Sequence, residues 1–293
     1  MKERALVLGA SGKVGEGVAS SLVAEGWQVS GAARFSKPEK ADRLRDKGIE
    51  PLVYDVTSGD PALLPEVDAV FLEIWDPSRP DLIWPINFYG VGRVVERYAG
   101  RANFVNGCTI NVYGERPDAP DEDAPCRPNT DYGRSRYSQE RLIDYFCHRS
   151  GSKAIHVRYA HANTADSGII RRMAETIVRG ESLGANPDAK MRVIGMEDFV
   201  RVTVNAWQRV ANPPVAVNCC GVRVWTQREL AEAIHARLGR GQVVFDRDAG
   251  GEEHSVQADP GRMVSWFGEP AVAQETLIDR VVATIDGGHT QDD

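Results

Sequence analysis

The sequence predicts an α/β protein built on a doubly wound parallel sheet. Short apolar segments rich in Val, Ile and Leu alternate with longer amphipathic segments through the first 160 residues, which is typical of βαβ units around a buried parallel sheet. The segment Gly9-Ala10-Ser11-Gly12-Lys13-Val14-Gly15 follows the first apolar segment directly, as expected where a strand turns into a helix. A chain of 293 residues is long enough for one large α/β domain with a smaller companion.

The alternation locates individual elements along the first 160 residues. The candidate strands are Ala5–Leu8, Gln28–Ala32, Pro51–Tyr54, Ala69–Ile74, Asn103–Asn106 and Ala154–Arg158. The candidate helices between them are Val14–Ala24, Lys40–Lys47, Asn87–Ala99 and Tyr132–His148.

The pattern changes after residue 160, where the loops become richer in Gly, Pro and Asn. The candidate elements there are the helices Ile169–Arg179 and Thr226–Leu238 and the strands Met191–Ile194 and Val215–Cys219. Asp198–Arg209 has the spacing of a further helix that covers the sheet. We therefore expect a first domain over residues 1–160, to which about residues 195–220 return, and an interleaved second region over residues 161–293.

Composition excludes several classes of partner. The chain has 35 Lys and Arg against 42 Asp and Glu, a net charge of −7, so it lacks the basic field that a nucleic acid requires. No apolar run approaches the roughly 20 residues of a membrane span, and the N-terminal segment has the pattern of a strand rather than of a signal peptide. Five cysteines without a C-x-x-C pair indicate a reduced, cytoplasmic protein. We expect no nucleic acid, membrane or metal partner.

The glycine-rich segment has the composition of a phosphate-binding turn. Glycines allow the backbone to turn tightly and to approach a pyrophosphate, and the N-terminus of the following helix presents free N–H groups to it. An ordinary strand-to-helix turn is the alternative, but the βα units that follow favour dinucleotide binding. The predicted cofactor-binding residues of this segment are Gly9, Ser11, Gly12, Lys13, Val14 and Gly15. The first domain is then the dinucleotide-binding domain, and the second region mainly binds substrate.

The residue that ends the second strand predicts which dinucleotide is bound. An acidic residue there suits a ribose 2′-hydroxyl group, whereas a basic one suits a 2′-phosphate. This chain has Arg34 and no carboxylate, which favours NADP(H) and leaves NAD(H) possible; a solvated loop charge is the alternative for Arg34. Asp55, followed by Val56 after the third strand, is expected either to contact the adenine or to cap the next turn.

Two later motifs carry a family resemblance. The chain reads F-V-N-G-C-T-I-N-V-Y-G from Phe104 and N-T-D-Y-G-R-S-R-Y-S-Q-E from Asn129. With the glycine-rich segment, it resembles the extended short-chain dehydrogenase/reductases, also called NAD-dependent epimerase/dehydratases, over nearly its whole length. The resemblance implies a Rossmann-type fold, and a homodimer held by Asn87–Ala99 and Tyr132–His148.

The resemblance also implies the catalytic residues. Thr109 would hydrogen-bond the reacting oxygen and Tyr132 would be the acid/base. Arg136 replaces the lysine of Y-x-x-x-K, which holds the nicotinamide ribose and lowers the pKa of the tyrosine in this family, so Tyr132 and Arg136 are also expected to bind the cofactor. Lowering the pKa of a phenol from about 10 to about 7 takes roughly 4 kcal/mol, which one charge at about 4 Å supplies in an effective dielectric of about 20. The alternative is that Arg136 pairs outward with Glu140, four residues on, and that the tyrosine is inert.

Other departures from the family pattern bear on the substrate. Ile110-Asn111 stand where dehydratases have an Asp-Glu pair, which disfavours sugar dehydration. Glu73-Ile74-Trp75, after the fourth strand, replace small residues and would line an unusual substrate pocket or obstruct the nicotinamide; for Trp75 alone, core packing is the stronger interpretation. The candidate substrate residues are Glu73, Trp75, Asn111, His161 and Arg247.

The sequence thus predicts an NAD(P)-dependent oxidoreductase or epimerase. It would transfer hydride at a carbinol or carbonyl carbon of a sugar-like or nucleotide-sugar substrate. The alternative is a catalytically silent dinucleotide-binding sensor or scaffold, which the Arg136 replacement and the bulky residues after the fourth strand suggest.

Overall fold

A computed structural model describes residues 2–74, 79–116, 118–246 and 257–287. Its strands are β1 (Arg4–Leu8), β2 (Gln28–Ala33), β3 (Glu50–Val53), β4 (Ala69–Leu72), β5 (Asn103–Thr109), β6 (Ala154–Tyr159), β7 (His161–Asn163), β8 (Ser182–Leu183), β9 (Lys190–Met191), β10 (Val193–Gly195), β11 (Val215–Cys219), β12 (Trp225–Thr226) and β13 (Val244–Phe245). Its α-helices are α1 (Lys13–Ala24), α2 (Pro38–Asp46), α3 (Val91–Tyr98), α4 (Asp131–Ser150), α5 (Ile169–Arg179), α6 (Met196–Ala206), α7 (Gln227–Leu238), α8 (Gly261–Phe267) and α9 (Gln274–Gly287). None of the helices in these ranges is long and apolar enough to cross a membrane.

The described strands include a seven-stranded sheet in the order β11-β6-β5-β4-β1-β2-β3. The registers of β1 with β2 and β4, of β2 with β3, and of β4 with β5 are all parallel. The strand order reverses between β1 and β4, and this is the point at which open α/β sheets bind ligands beyond the carboxyl ends of their strands. The predicted doubly wound, Rossmann-type fold is confirmed.

The chain divides into two compact units. Unit 1 comprises Met1–Val112, Pro128–Arg158 and Val200–Val217. Its central strands β1 and β4 are mostly apolar, as is usual where both faces of a sheet are covered, and Leu6, Val70 and Phe104 are completely buried. Together with Val94 and Ile143 on α3 and α4, they belong to one core cluster.

Unit 2 comprises Tyr113–Arg127, Tyr159–Phe199 and Asn218–Asp293. Its core contains apolar side chains of α5, α7 and α9, among them Ile170, Ile234 and Val281, which are fully buried. Helix α7 begins with a capping box, in which Thr226 and Glu229 satisfy each other's backbone N–H groups. The predicted division of roles, with cofactor on the first domain and substrate mainly on the second region, stays a prediction.

Several predicted boundaries differ from the structure. Strand β4 ends at Leu72 rather than at Ile74, while β5 continues beyond Asn106 to Thr109. The predicted helix from Asn87 is a π-helical turn, Pro85–Gly90, followed by α3. The predicted strand Met191–Ile194 is split between β9 and β10 because these two strands pair with different partners.

Candidate functional site

A cavity of about 380 Å³ lies in unit 1 at the carboxyl ends of β1 to β4. Its walls come from the turns that follow these four strands and from the turn before α3. The lining residues are Gly9, Ser11, Gly12, Ala33, Arg34, Phe35, Ser36, Lys40, Tyr54, Asp55, Val56, Thr57, Glu73, Ile74, Leu82 and Ile86. The predicted cofactor residues Gly9, Ser11, Gly12, Arg34, Asp55 and Val56 are therefore brought together at one cavity.

The glycine turn is built on close backbone approaches. Gly9 has φ +91°, and a Cβ atom on it would lie 2.5 Å from the carbonyl oxygen of Glu73. A Cβ atom on Gly15 would likewise overlap the carbonyl oxygen of Gly9. Helix α1 begins at Lys13, directly after the turn, and no side chain caps this end. The first N–H groups of α1 therefore remain to bind an anion beside the cavity.

Charged side chains surround the end of the cavity beside β2 and β3. Lys40 on α2 donates a hydrogen bond from Nζ to the carbonyl oxygen of Ser11, at 3.1 Å. Arg34 is exposed, and Phe35 after it has a left-handed backbone with φ +46°, a strained conformation for a bulky residue. The turn after β2 thus carries a strained residue and the cation Arg34, and Lys40 of α2 adds a second cation at the cavity wall.

Asp55 caps the turn that follows it. Its Oδ1 accepts hydrogen bonds from the backbone N–H and the hydroxyl group of Thr57, at 2.8 and 2.7 Å. Partial burial opposes ionisation, but these hydrogen bonds and the charge of Arg34 hold the pKa of Asp55 below its ordinary value. The capping alternative is what the structure shows, and Asp55 also lines the cavity.

The proposed catalytic residues lie at the end of β5 and in the first two turns of α4. Thr109 is buried, and its Oγ1 accepts a hydrogen bond from the N–H of Asn111 at 3.3 Å, so its own proton remains available for donation. A Cβ atom on Gly133 would lie only 2.6 Å from the carbonyl oxygen of Asn111. The first turn of α4, which carries the half-buried Tyr132, therefore packs directly on the segment that carries Thr109.

Arg136 is one helical turn beyond Tyr132 and is 1% exposed. Its Nη1 donates to the carbonyl oxygen of Ile74 at 3.2 Å and to Oδ1 of Asn87 at 3.4 Å, and its Nη2 donates to the carbonyl oxygen of Gly107. These contacts bind the guanidinium across the ends of β4 and β5. Its charge is thus fixed on the face of α4 that Tyr132 also occupies.

The alternative in which Arg136 turns outward to pair with Glu140 is wrong. Both side chains are buried, and Glu140 forms a bidentate ion pair with Arg158 on β6. Burial alone would raise the pKa of Glu140, but the charges of Arg158 and His156 outweigh it and hold that pKa at about 2.

Glu73 follows β4 directly and turns its side chain towards β5. A Cβ atom on Gly107 would overlap Oε2 of Glu73, so the carboxyl group lies against the bare α-carbon of this glycine. The Oε1 atom is buried, and it has no hydrogen-bond partner among the described residues. Burial raises the pKa of Glu73 to about 8, although the charge of Arg136 acts in the opposite direction.

The remaining predicted residues are distributed as follows. Lys13 and Val14 form the first turn of α1. His161 is half-buried in unit 2, on β7, where it is opposite Val193 of β10. Trp75 and Arg247 lie outside the described residues.

Two contacts of the candidate site were not predicted from the sequence. Lys40 reaches the glycine turn from α2, and nothing in its local sequence distinguishes it from the other charged residues of that helix. Asn87 binds Arg136, and its Nδ2 donates to the hydroxyl group of Ser135 at 3.0 Å. The π-helical turn places Asn87 there, and such turns often occur at functional sites.

The comparisons with known proteins agree with this geometry. The family model described as "NAD dependent epimerase/dehydratase family" matches residues 5–220. The chain belongs to this family. It finds no match among curated protein sequences.

Solved structures of this fold cover nearly the whole chain. UDP-glucuronic acid 4-epimerase from Bacillus cereus, a mutant in complex with UDP-4-deoxy-4-fluoro-glucuronic acid and NAD, is 17% identical, with TM-score 0.82 over 97% of this chain and 99% of its own. UDP-glucose 4-epimerase from Thermotoga maritima, with UDP-glucose, is 20% identical, with TM-score 0.82 over 98% and 99%. The Bordetella bronchiseptica enzyme WbmH, in complex with NAD⁺, is 21% identical, with TM-score 0.77 over 98% and 99%. At these identities the likeness establishes the fold.

Proposed function

We propose that this member of the epimerase/dehydratase family is an NAD(P)-dependent epimerase or oxidoreductase that acts on a nucleotide sugar or a related sugar. The proposal is carried by one observation: the glycine turn and the candidate catalytic residues lie at the same edge of one sheet. The glycine turn and its cavity lie at the carboxyl ends of β1 to β4. Thr109 ends β5 at the same edge, and the first turn of α4 packs on the segment that follows it. Parallel strands bring these groups together because their carboxyl ends share one side of the sheet.

The residues fit the nicotinamide dinucleotide that the family name implies. Side chains at Gly9 and Gly15 would overlap the backbone of Glu73 and of Gly9, so these two glycines allow the tight turn that forms one wall of the cavity. The α1 N-terminus and the backbone of Gly12 would hold the pyrophosphate, and Arg34 and Asp55 would lie beside the adenosine. The bound cofactor supplies the hydride acceptor and donor.

The protein's own residues would then transfer the hydroxyl proton of the substrate. Tyr132, as the phenolate, would accept the hydroxyl proton of the reacting carbinol, while the Thr109 hydroxyl group donates a hydrogen bond to the same oxygen. Arg136 is fixed one helical turn from Tyr132, so its charge favours the phenolate. Its predicted contact with the nicotinamide ribose remains part of the proposal.

The substrate class follows from the two residues after Thr109 and from the related folds. Ile110 and Asn111 after Thr109 cannot transfer a proton, which favours epimerisation or oxidation over dehydration. The two 4-epimerases above are named for UDP sugars, which supports a nucleotide-sugar substrate here. The comparisons do not support the alternative of a catalytically silent sensor or scaffold.

For the cofactor we propose a preference for NADP(H). Arg34 and Lys40 are cations at the cavity wall after β2, where a guanidinium binds a 2′-phosphate through two hydrogen bonds. We also include NAD(H) as a possible cofactor, since related structures contain NAD.

The test is turnover of UDP-hexoses and UDP-hexuronic acids with each cofactor, with epimers and keto products identified by chromatography and NMR. We expect Tyr132→Phe to lower the rate about 10²- to 10⁴-fold while cofactor binding persists. Tyr137→Phe, a half-buried tyrosine on the same helix, is the matched control. Full activity of Tyr132→Phe would refute the assignment of this residue, and no cofactor binding by the wild type would refute the proposed function.

A further inference from the structure

Glu73 is a half-buried acid that the proposed reaction does not use. Its carboxyl group lies against Gly107 at the end of β5, and Oε1 is buried without a hydrogen-bond partner among the described residues. A buried carboxylate without full hydrogen bonding is unfavourable, and such groups are enriched at functional sites. The side chain therefore needs an explanation beyond packing.

The nearby cation does not fully neutralise this acid. Arg136 directs Nη1 to Ile74 and Asn87, and Nη2 to Gly107, which are neutral oxygen acceptors. Its charge lowers the pKa of Glu73, but burial outweighs that effect, and the pKa remains at about 8. Before any cofactor binds, Glu73 is therefore mostly protonated at neutral pH.

The position of Glu73 along the cavity identifies the half of the cofactor that it faces. Arg34 and Asp55 mark the adenosine end, beside β2 and β3. The glycine turn after β1 holds the pyrophosphate in such folds, so the second nucleoside extends across the switch point towards β4 and β5. Glu73 lines the cavity after β4 and faces β5. It therefore belongs to the nicotinamide end.

We propose that Glu73 is a proton-linked residue of the cofactor site, which releases its proton to solvent when the cationic, oxidised nicotinamide ring binds and retains it when the neutral, reduced ring binds. The inference rests on the proposed function, since it requires a nicotinamide dinucleotide in this cavity. A neighbouring cation lowers the pKa of a carboxyl group by about 1 to 3 units, enough to ionise Glu73 near neutral pH. Glu73 thus favours retention of the oxidised cofactor as pH rises.

Among the residues that the structure describes, few other groups at this end titrate near neutral pH. Arg136, from α4, remains charged, and Cys108, from β5, remains a thiol because burial raises its pKa well above the ordinary value. The glycine turn contributes backbone atoms, and the pKa of Asp55 at the far end lies below its ordinary range. Tyr132 is the remaining candidate on α4, and the Tyr132→Phe variant separates its contribution.

The experiment counts protons released on cofactor binding. Cofactor-free protein is titrated calorimetrically with oxidised and reduced cofactor at pH 7, in phosphate and in Tris, whose ionisation enthalpies differ. With a pKa of about 8, full ionisation of Glu73 releases about 0.9 proton per site at pH 7. We expect release approaching this value with the oxidised cofactor and almost none with the reduced one. The affinity for the oxidised form should then rise by up to about tenfold per pH unit below pH 8.

Variants test whether the proton released on cofactor binding comes from Glu73. Glu73→Gln should abolish the release and flatten the pH dependence, whereas Glu96→Gln, an exposed position on α3, and Tyr132→Phe should retain both. Infrared difference spectra of the wild type give an independent readout, because the carboxylic acid band of Glu73 should disappear on addition of oxidised cofactor. Binding without proton release, or with unchanged release in Glu73→Gln, would overturn the inference. Failure to bind either cofactor would instead refute the proposed function.

Discussion

Arg158 and Glu140 form a bidentate ion pair in the interior of unit 1, with Nε to Oε1 at 2.9 Å and Nη2 to Oε2 at 2.8 Å. The pair joins β6 to α4, the helix that carries Tyr132. Removing one partner leaves an uncompensated buried charge, so we expect Glu140→Gln to lower the free energy of unfolding by about 3–5 kcal/mol. Urea unfolding measures this change, and Glu96→Gln is the exposed control. A loss below about 1 kcal/mol would contradict the prediction.

The same pair predicts an acid dependence of stability. The pKa of Glu140 is about 2 in the folded protein, below the value of about 4.3 expected for an unfolded chain. A lowered folded pKa contributes stability that is present above the unfolded pKa and is lost as pH falls towards 2. We therefore expect the urea midpoint to fall with pH in this window. In Glu140→Gln the urea midpoint should fall less steeply with pH. An equal slope in the variant and the wild type would mean that other groups cause the loss of stability.

The ionisation of Glu73 affects stability in the opposite direction to that of Glu140. Its folded pKa of about 8 lies above the unfolded value, so the unfolded chain ionises first and stability declines as pH rises from about 4.3 to 8. We expect Glu73→Gln to be more stable than the wild type at pH 8 in the absence of cofactor, and the difference to vanish near pH 4. Thermal unfolding across this range tests the prediction. A variant that is less stable at pH 8 would mean that the carboxylate has a stabilising partner.

The proposed preference for NADP(H) depends on Arg34. Because a guanidinium binds a phosphate through charge-assisted hydrogen bonds, we expect Arg34→Ala to weaken NADPH binding by about tenfold to a hundredfold and to leave NADH binding almost unchanged. Calorimetric titration measures both affinities. Arg45→Ala, an exposed position on α2 that pairs with Asp42, is the matched control. Equal losses for the two cofactors would contradict the 2′-phosphate assignment.

Self-association is expected through the outer surface of α3, α4 and the π-helical turn. Tyr89 and Tyr145 there are 66% and 56% exposed, and exposed aromatic residues are enriched at interfaces. We expect a homodimer in sedimentation experiments, and we expect Tyr145→Glu to weaken it because charge is unfavourable in an interface core. Tyr145→Phe should retain the dimer. A wild-type monomer at micromolar concentration would refute the prediction.

The sequence predicted those parts of the site that are encoded locally. The glycine turn after β1, Arg34 after β2 and Asp55 after β3 each adjoin an apolar strand, and parallel strands necessarily bring their carboxyl ends to one edge. The fold and the position of the cavity could therefore be inferred from periodicity and from a few turn residues.

The contacts of Glu73 and Arg136 could not be predicted in this way. Glu73 lies against Gly107, and Arg136 binds the carbonyl oxygen of Ile74, residues that are distant in sequence and are brought together only by the pairing of β4 with β5. The bulky segment after β4 and the replaced lysine are separate anomalies in the sequence. In the structure both lie at the ends of the same two strands.

The discontinuity of unit 1 has a consequence for biosynthesis. Its last segment, Val200–Val217, contributes most of β11, which lies beside β6 at one end of the sheet. At about 5–20 residues per second, the ribosome needs about 3 to 12 s to proceed from Arg158 to Val217. During this interval the outer edge of β6 has no partner strand, and such an edge can pair with another nascent chain. Slower translation lengthens the exposure, and a fragment that ends near residue 160 would carry the open edge permanently.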